Sequence, residues 1–237
     1  MRTTGDSRII PALGFERLTG AYDLAVALFT RERRFRDSLL DQAAIEAGHD
    51  VLDIGCGTGT FAVLMGSRSP AASIVGLDAD AAVLAIATRK SRHAGTRLLL
   101  VRGNASRLPF ARASFDRVVS SLLFHHLSAK AKRDAAAEIL RVLRPGGELH
   151  LADWGRASSG LMRTLFLAVQ MLDGFETTEE NVTTGLVPIL VEAGFADVCC
   201  IQALPTFLGT LELVRATRPG QGWHPATAAE NSHGGRR

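Results

Sequence analysis

Val51-Leu52-Asp53-Ile54-Gly55-Cys56-Gly57-Thr58-Gly59-Thr60 decides how the chain is read. An apolar run of strand type enters three glycines at alternate positions, and a helical pattern begins beyond them. Gly55, Gly57 and Gly59 allow a tight turn and let a ligand come close to the backbone. The helix that follows offers N–H groups without intrahelical partners at its first turn. Asp53 stands two residues before the first glycine, a poor place for a carboxylate if the ligand carries a pyrophosphate. Beside a cationic amino group the same carboxylate is useful.

Working outward, short apolar runs alternate with helical patterns from 49 to 154, which is how a parallel α/β sheet reads. Strands are predicted at Val51–Ile54, Ser73–Leu77, Leu98–Arg102, Asp116–Ser121 and Glu148–Ala152, with helices near 59–68, 80–92 and 129–143. The last helix is expected to stop at Leu143-Arg144-Pro145-Gly146-Gly147. Upstream, 16–47 reads as one or two amphipathic helices. Downstream, helices are expected at 160–173 and 180–193, then strands near Asp197–Ala203 and Thr210–Ala216 joined as an antiparallel hairpin. The fold class is a Rossmann-like, doubly wound α/β domain. Its expected divisions are an N-terminal helical cap over 1–48, the sheet domain over 49–217 with a helical lid at 160–193, and a disordered tail over 218–237.

Asp78 ends the second strand, 19 residues after Gly59, where a carboxylate accepts both hydroxyls of a ribose. Asn104 and Ala105 end the third strand, suiting a polar and a small residue beside an adenine ring. Both carboxylates also have a plainer reading: Asp53 as a partner of the loop amides, Asp78 as a cap for the helix opening at Asp80. Cys56 reads as a small filler within the loop.

The run from Val51 to Ala152 resembles the core of a class I S-adenosylmethionine-dependent methyltransferase. The pieces Asp-Ile-Gly-Cys-Gly-Thr-Gly, Asn104-Ala105-Ser106-Arg107-Leu108-Pro109-Phe110, Ser114-Phe115-Asp116 and Leu143-Arg144-Pro145-Gly146-Gly147 stand in family order and spacing. The resemblance implies a seven-stranded sheet with an antiparallel final strand and S-adenosyl-L-methionine in the crevice at the carboxyl ends of the central strands. It places Asp53 and the backbone at Gly55 and Gly57 around the methionine moiety, with Thr58 on the same loop. Asp78 falls on the ribose, Ala79 under the adenine, Asn104 and Ala105 at the adenine end, and Ser121 beside the methionine. Tyr22-Asp23 is similar to the stretch that helps close the cofactor site in ubiquinone- and menaquinone-type methyltransferases. The segment Phe207-Leu208-Gly209-Thr210-Leu211-Glu212-Leu213 departs from those enzymes and leaves an O- or N-methyltransferase open.

Methyl transfer from a sulfonium is an in-line displacement with a good leaving group, so alignment in a dry pocket is the main requirement. A base is needed where the acceptor must lose a proton, and His125 and His126 follow the fourth strand where that acceptor would sit. A cap or a solvent-facing role is the alternative for this pair. Asp153, Trp154 and Phe166 are expected to shape the acceptor site, Phe166 within a segment rich in apolar residues that suits an apolar or aromatic small acceptor.

The chain has 237 residues, enough for one such domain, and its 46% hydrophobic content supplies a core covered on both faces. A net charge of +3 without a basic stripe interleaved with aromatics argues against nucleic acid, and Arg31, Arg33, Arg34 and Arg36 read as a solvated helix face. The three cysteines have no metal or disulfide spacing, and no metal is expected. No membrane-length apolar run occurs, so a cytoplasmic monomer or homodimer with a small-molecule acceptor is the expectation. Two rivals share the fold. An NAD-dependent oxidoreductase would want G-x-G-x-x-G, whereas the glycines here fall as G-x-G-x-G. A non-catalytic, cofactor-binding regulatory protein would keep the loop and lose the acceptor chemistry.

Overall fold

A computed structural model describes residues 32–155, 185–205 and 210–220. After helix α1 (Glu32–Ala43) the chain runs β1 (Asp50–Ile54), α2 (Thr60–Arg68), β2 (Ser73–Asp78), α3 (Ala81–Ala94), β3 (Leu98–Arg102) and β4 (Phe115–Ser121). A single 3-10 turn (Phe124–His126) leads to α4 (Ala129–Val142), β5 (Leu143–Trp154), α5 (Val187–Glu192), β6 (Ala196–Pro205) and β7 (Thr210–Thr217).

These strands form one seven-stranded sheet in the order β3-β2-β1-β4-β5-β7-β6. The first five pair in parallel, and β7 runs antiparallel to both β5 and β6. The strand order reverses between β1 and β4, so a crevice opens at their carboxyl ends.

Alternation along the strands divides the core in two. Leu52 and Ile54 of β1, with Leu149 and Leu151 of β5, pack with Ala135, Ala136 and Ile139 of α4 and with Ile189 and Leu190 of α5. Val51, Ala152 and Trp154 take the other face, with Phe35 and Leu39 of α1 and Phe61 and Met65 of α2. Asp53 falls on this second face by its alternation with Leu52 and Ile54.

Local signals set the helix ends. Asp80 caps α3 by accepting from the Ala82 amide at 2.7 Å, and Gly95 at φ 65° closes it in the left-handed region. Ser128 caps α4 through the Ala131 amide.

Three features stand apart from the sequence reading. β5 begins at Leu143, directly after α4, so Arg144-Pro145-Gly146-Gly147 belongs to the strand rather than to a turn. The cause is tertiary: Gly146 donates to the Arg218 carbonyl, and Arg218 donates back to Gly147. Of the helix expected over 180–193, residues 180–184 lie outside the described residues; the described part is helical over Val187–Glu192, after Gly185 at φ 75°. The Arg31–Arg36 cluster is not a uniform solvated face. Arg33 and Arg34 are exposed, but Arg36 is half-buried and its charge acts on Asp53. Tyr22, Arg31, Phe166, the 160–173 helix, most of the lid and all but the first residues of the tail lie outside the described residues.

Candidate active site

The glycine loop is built on a close approach. Gly59 has φ 76°, and a Cβ there would stand 2.7 Å from the Ala87 Cβ of α3. Gly57, at φ 53°, instead has nothing within 4 Å of where its Cβ would be, so the loop presents a bare backbone face to open space. Cys56 is buried, and a Cβ at Gly76 would sit 3.0 Å from its Sγ. Burial pushes the thiol's pKa well up, which leaves Cys56 a packing group.

Four of the loop's amides are committed. The amides of Gly55 and Cys56 donate to the Leu77 carbonyl at 2.8 and 3.0 Å, and Gly59 donates to the Cys56 carbonyl. The Gly57 amide donates to Asp78 Oδ2 at 2.8 Å, while Asp78 Oδ1 accepts from the Asp80 amide at 3.0 Å. Asp78 thus does serve the entry to α3, and each oxygen keeps a lone pair for a ribose hydroxyl. A pyrophosphate would need those N–H groups; a cation needs acceptors.

Asp53 supplies the acceptor. Its side chain is 1% exposed, and neither carboxylate oxygen has a hydrogen-bond partner among the described residues. It does not bond the loop amides, so its plainer reading does not hold. Desolvation raises its pKa to about 7 against the pull of Arg36, with the Asp78 charge adding to the rise. A buried carboxylate without a partner costs several kcal/mol. It fits the ammonium of a bound methionine moiety, which would complete the pair.

Just after β3, Asn104 is exposed and its Oδ1 accepts from the Ser106 amide, while Ala105 is buried in the first core cluster. The Ala79 carbonyl accepts from Arg102 Nε at 3.1 Å. Two residues that the sequence reading did not single out hold this loop. Glu138 of α4 accepts the Leu108 amide at 2.7 Å, and Arg141 donates to Glu138 and to the carbonyls of Leu108 and Phe110. Their i,i+3 spacing on one helix was the available signal. Lys90 was also passed over; it donates to the hydroxyls of Thr58 and Thr60 at 2.7 and 2.8 Å.

At the end of β4, Ser121 is half-buried, and its neighbour Ser120 is buried and donates to the Ile54 carbonyl at 2.8 Å. Leu123 then lies directly over the loop: a Cβ on Gly55 would stand 2.9 Å from its Cδ1. Two residues on, His125 is 2% exposed and its Nδ1 stands 2.7 Å from Asp153 Oδ1. Asp153 also accepts from the Phe124 amide at 2.7 Å and from its own neighbour Trp154 at 2.8 Å. Burial alone would raise the Asp153 pKa, but His125 and these two amides hold it below the usual carboxylate range. His126 is exposed, and its ring lies 3.9 Å from that of His125. Loss of solvent around the ring, then the His125 charge, push its pKa down to about 4. Trp154 is buried on the opposite face from Asp153, in the cluster with Phe35 and Phe61.

Comparison with known proteins agrees with this architecture. Residues 51–147 match a family model described as a methyltransferase domain. An uncharacterised methyltransferase of Synechocystis sp. is 33% identical over 167 residues, covering 70% of this chain and 76% of that protein. A demethylmenaquinone methyltransferase of Thermus thermophilus is 35% identical over 137 residues, 57% of this chain; the chain spans 61% of that relative's length. Among solved structures, the YcgJ protein of Bacillus subtilis superposes with TM-score 0.67 at 20% identity, over 79% of this chain and 99% of that one.

Proposed function

The chain belongs to the class I S-adenosylmethionine-dependent methyltransferases, and on that premise we propose that it methylates a small apolar or aromatic acceptor by in-line displacement. Asp53 carries this reading: a sealed carboxylate without a hydrogen-bond partner among the described residues, beside a loop whose Gly55, Cys56, Gly57 and Gly59 amides are engaged, suits a cation. Bound S-adenosylmethionine supplies an electrophilic methyl group on a sulfonium. Asp53 holds the amino group, Asp78 the ribose hydroxyls, and Ala79, Asn104 and Ala105 flank the adenine. Gly57 leaves room for the chain between them. Ser121 borders the methionine side.

Relatives named as demethylmenaquinone methyltransferases support a hydroxylated aromatic ring, of quinol type, as the acceptor. Asp153 shapes the acceptor side of the crevice, and His125 or His126 is the base where the acceptor carries a proton to be lost.

Calorimetric titration with S-adenosylhomocysteine and with NADH tests the cofactor reading. Micromolar binding of the first, lost in Asp78→Ala, is the expected result. Binding of NADH, or of neither, overturns it.

A further inference from the structure

At the amino ends of β4 and β5, the end of the sheet away from the glycine loop, three guanidiniums line a cavity of about 240 Å³. Arg112 reaches it from the turn before β4, Arg141 from the last turn of α4, and Arg218 from just beyond β7. β7 runs antiparallel to β5, which returns its last residues to this end. Ala137, Leu140 and Pro219 supply apolar wall, and among the described residues no acidic side chain lines the cavity.

The three charges are unequal. Arg141 is met by Glu138, at 2.7 and 2.9 Å, and also donates to the carbonyls of Leu108 and Phe110. Arg218 donates through Nη1 to the carbonyls of Arg141 and Leu143, which fix the side chain. Its Nε and Nη2 make no hydrogen bond among the described residues and are not sealed, so that edge of the guanidinium faces accessible space. Arg218 is half-buried and has no carboxylate partner among the described residues. The charge that acts on it is Arg112, which has neither a hydrogen bond nor an ion pair among them. Burial and that like charge both push the Arg218 pKa down. Two unmatched positive charges on one small cavity repel until an anion enters.

We propose that this cavity binds a small free phosphate monoester, with Arg112 and Arg218 on the phosphate and Leu140 against the organic group. The charge count selects the ligand: a monoester carries about −1.5 to −2 at neutral pH and matches two guanidiniums, whereas a carboxylate leaves one of them unmet. The open Nε–Nη2 edge of Arg218 is a fork that grips two phosphate oxygens at once. Size limits the rest of the molecule. The cavity falls below the ~300–1,000 Å³ of drug-sized pockets, so a single ring or a short chain is what fits. The groups proposed for methyl transfer stand at the carboxyl ends of the strands, so this site is separate from that reading.

Backbone amide NMR of the full chain tests this, with phenyl phosphate as the probe and inorganic phosphate and benzoate as comparisons at constant ionic strength. Phenyl phosphate should bind one to one, shifting Arg112, Ala113, Ser114, Gly194 and Arg218 while Gly57 stays in place. Inorganic phosphate and benzoate should each bind at least about tenfold more weakly. Arg112→Glu should weaken phenyl phosphate by at least about tenfold with thermal unfolding unchanged, because Arg112 has no bond to lose among the described residues. Arg92→Glu makes the same charge change at an exposed position on α3 and should leave the affinity within about twofold. Shifts that never saturate, wild-type affinity in Arg112→Glu, an equal loss in Arg92→Glu, or shifts confined to Gly57 and Asp78 overturn the proposal. So does sedimentation with phosphatidic acid vesicles in the absence of phenyl phosphate binding, which would assign the arginines to a lipid surface.

Discussion

Asp78 and Gly57 are joined by a 2.8 Å hydrogen bond from the glycine amide to the carboxylate, so the end of β2 and the cofactor loop form one unit. The residue proposed as the ribose ligand also shapes the loop proposed to receive the rest of the cofactor. A charged hydrogen bond of this kind contributes roughly 1.5–3 kcal/mol.

Asp78→Ala should therefore do two things together. S-adenosylhomocysteine binding should weaken on the order of 100-fold, and the melting temperature should fall by about 3–10 °C through loss of the Gly57 and Asp80 contacts. Calorimetry and thermal unfolding read the two effects; a mutant with normal stability would show that the loop does not lean on Asp78.

Asp53 predicts a pH-dependent affinity. Its folded pKa is raised, to about 7, so the protonated form prevails below that pH and must be ionised to meet an ammonium. S-adenosylhomocysteine affinity should rise as pH increases toward about 7, by at most tenfold per unit, and then level off. Stability of the free protein runs the other way. The folded state binds the proton more tightly than the unfolded chain, so stability is full below the model-peptide value of 3.8 and is lost as pH rises toward about 7. Asp53→Asn should flatten both profiles and bind weakly throughout.

Gly57 and Gly59 should separate binding from folding. Gly57→Ala adds a Cβ to open space, at a backbone cost of about 1–2 kcal/mol, and should block the cofactor while the protein still folds. Gly59→Ala meets Ala87 and should cost about 2–4 kcal/mol in chemical denaturation.

Glu138→Gln should loosen the 104–110 loop. Its carboxylate, held below the usual range by Arg141, accepts the Leu108 amide. Faster hydrogen exchange at Leu108 and a drop in cofactor affinity of severalfold are expected, with the sheet amides unchanged.

His126 should remain neutral across the working pH range. Its ring proton resonances should titrate near pH 4, and a midpoint near the ordinary histidine value would show that the His125 ring stacked on it does not keep water from it.

Much of the frame was legible in the chain. Leu98–Arg102 falls where the alternation of apolar runs put it, and the Ala196–Pro205 and Thr210–Thr217 strands pair antiparallel as their short separation implied. The β5 start was not, because Leu143-Arg144-Pro145-Gly146-Gly147 carries every local signal of a stop. Arg144 overrides them by binding Asp50 at 2.7 Å and also Asp116, while Arg218 pairs with Gly146 and Gly147. Those partners lie far away in sequence, and local propensity does not see them.

The sequence by itself determined the parallel sheet, the glycine loop at its switch point and the two carboxylates that flank it, because apolar periodicity and positive-φ glycines are local properties of the chain. Only the tertiary structure decided what each group is free to do. Asp53 is sealed without a hydrogen-bond partner among the described residues, Asp78 is shared with a backbone amide, and His125 and Asp153, 28 residues apart, meet at 2.7 Å. Hydrogen-bond occupancy and desolvation depend on what the sheet brings together, and those are the quantities that turn residue types into chemistry.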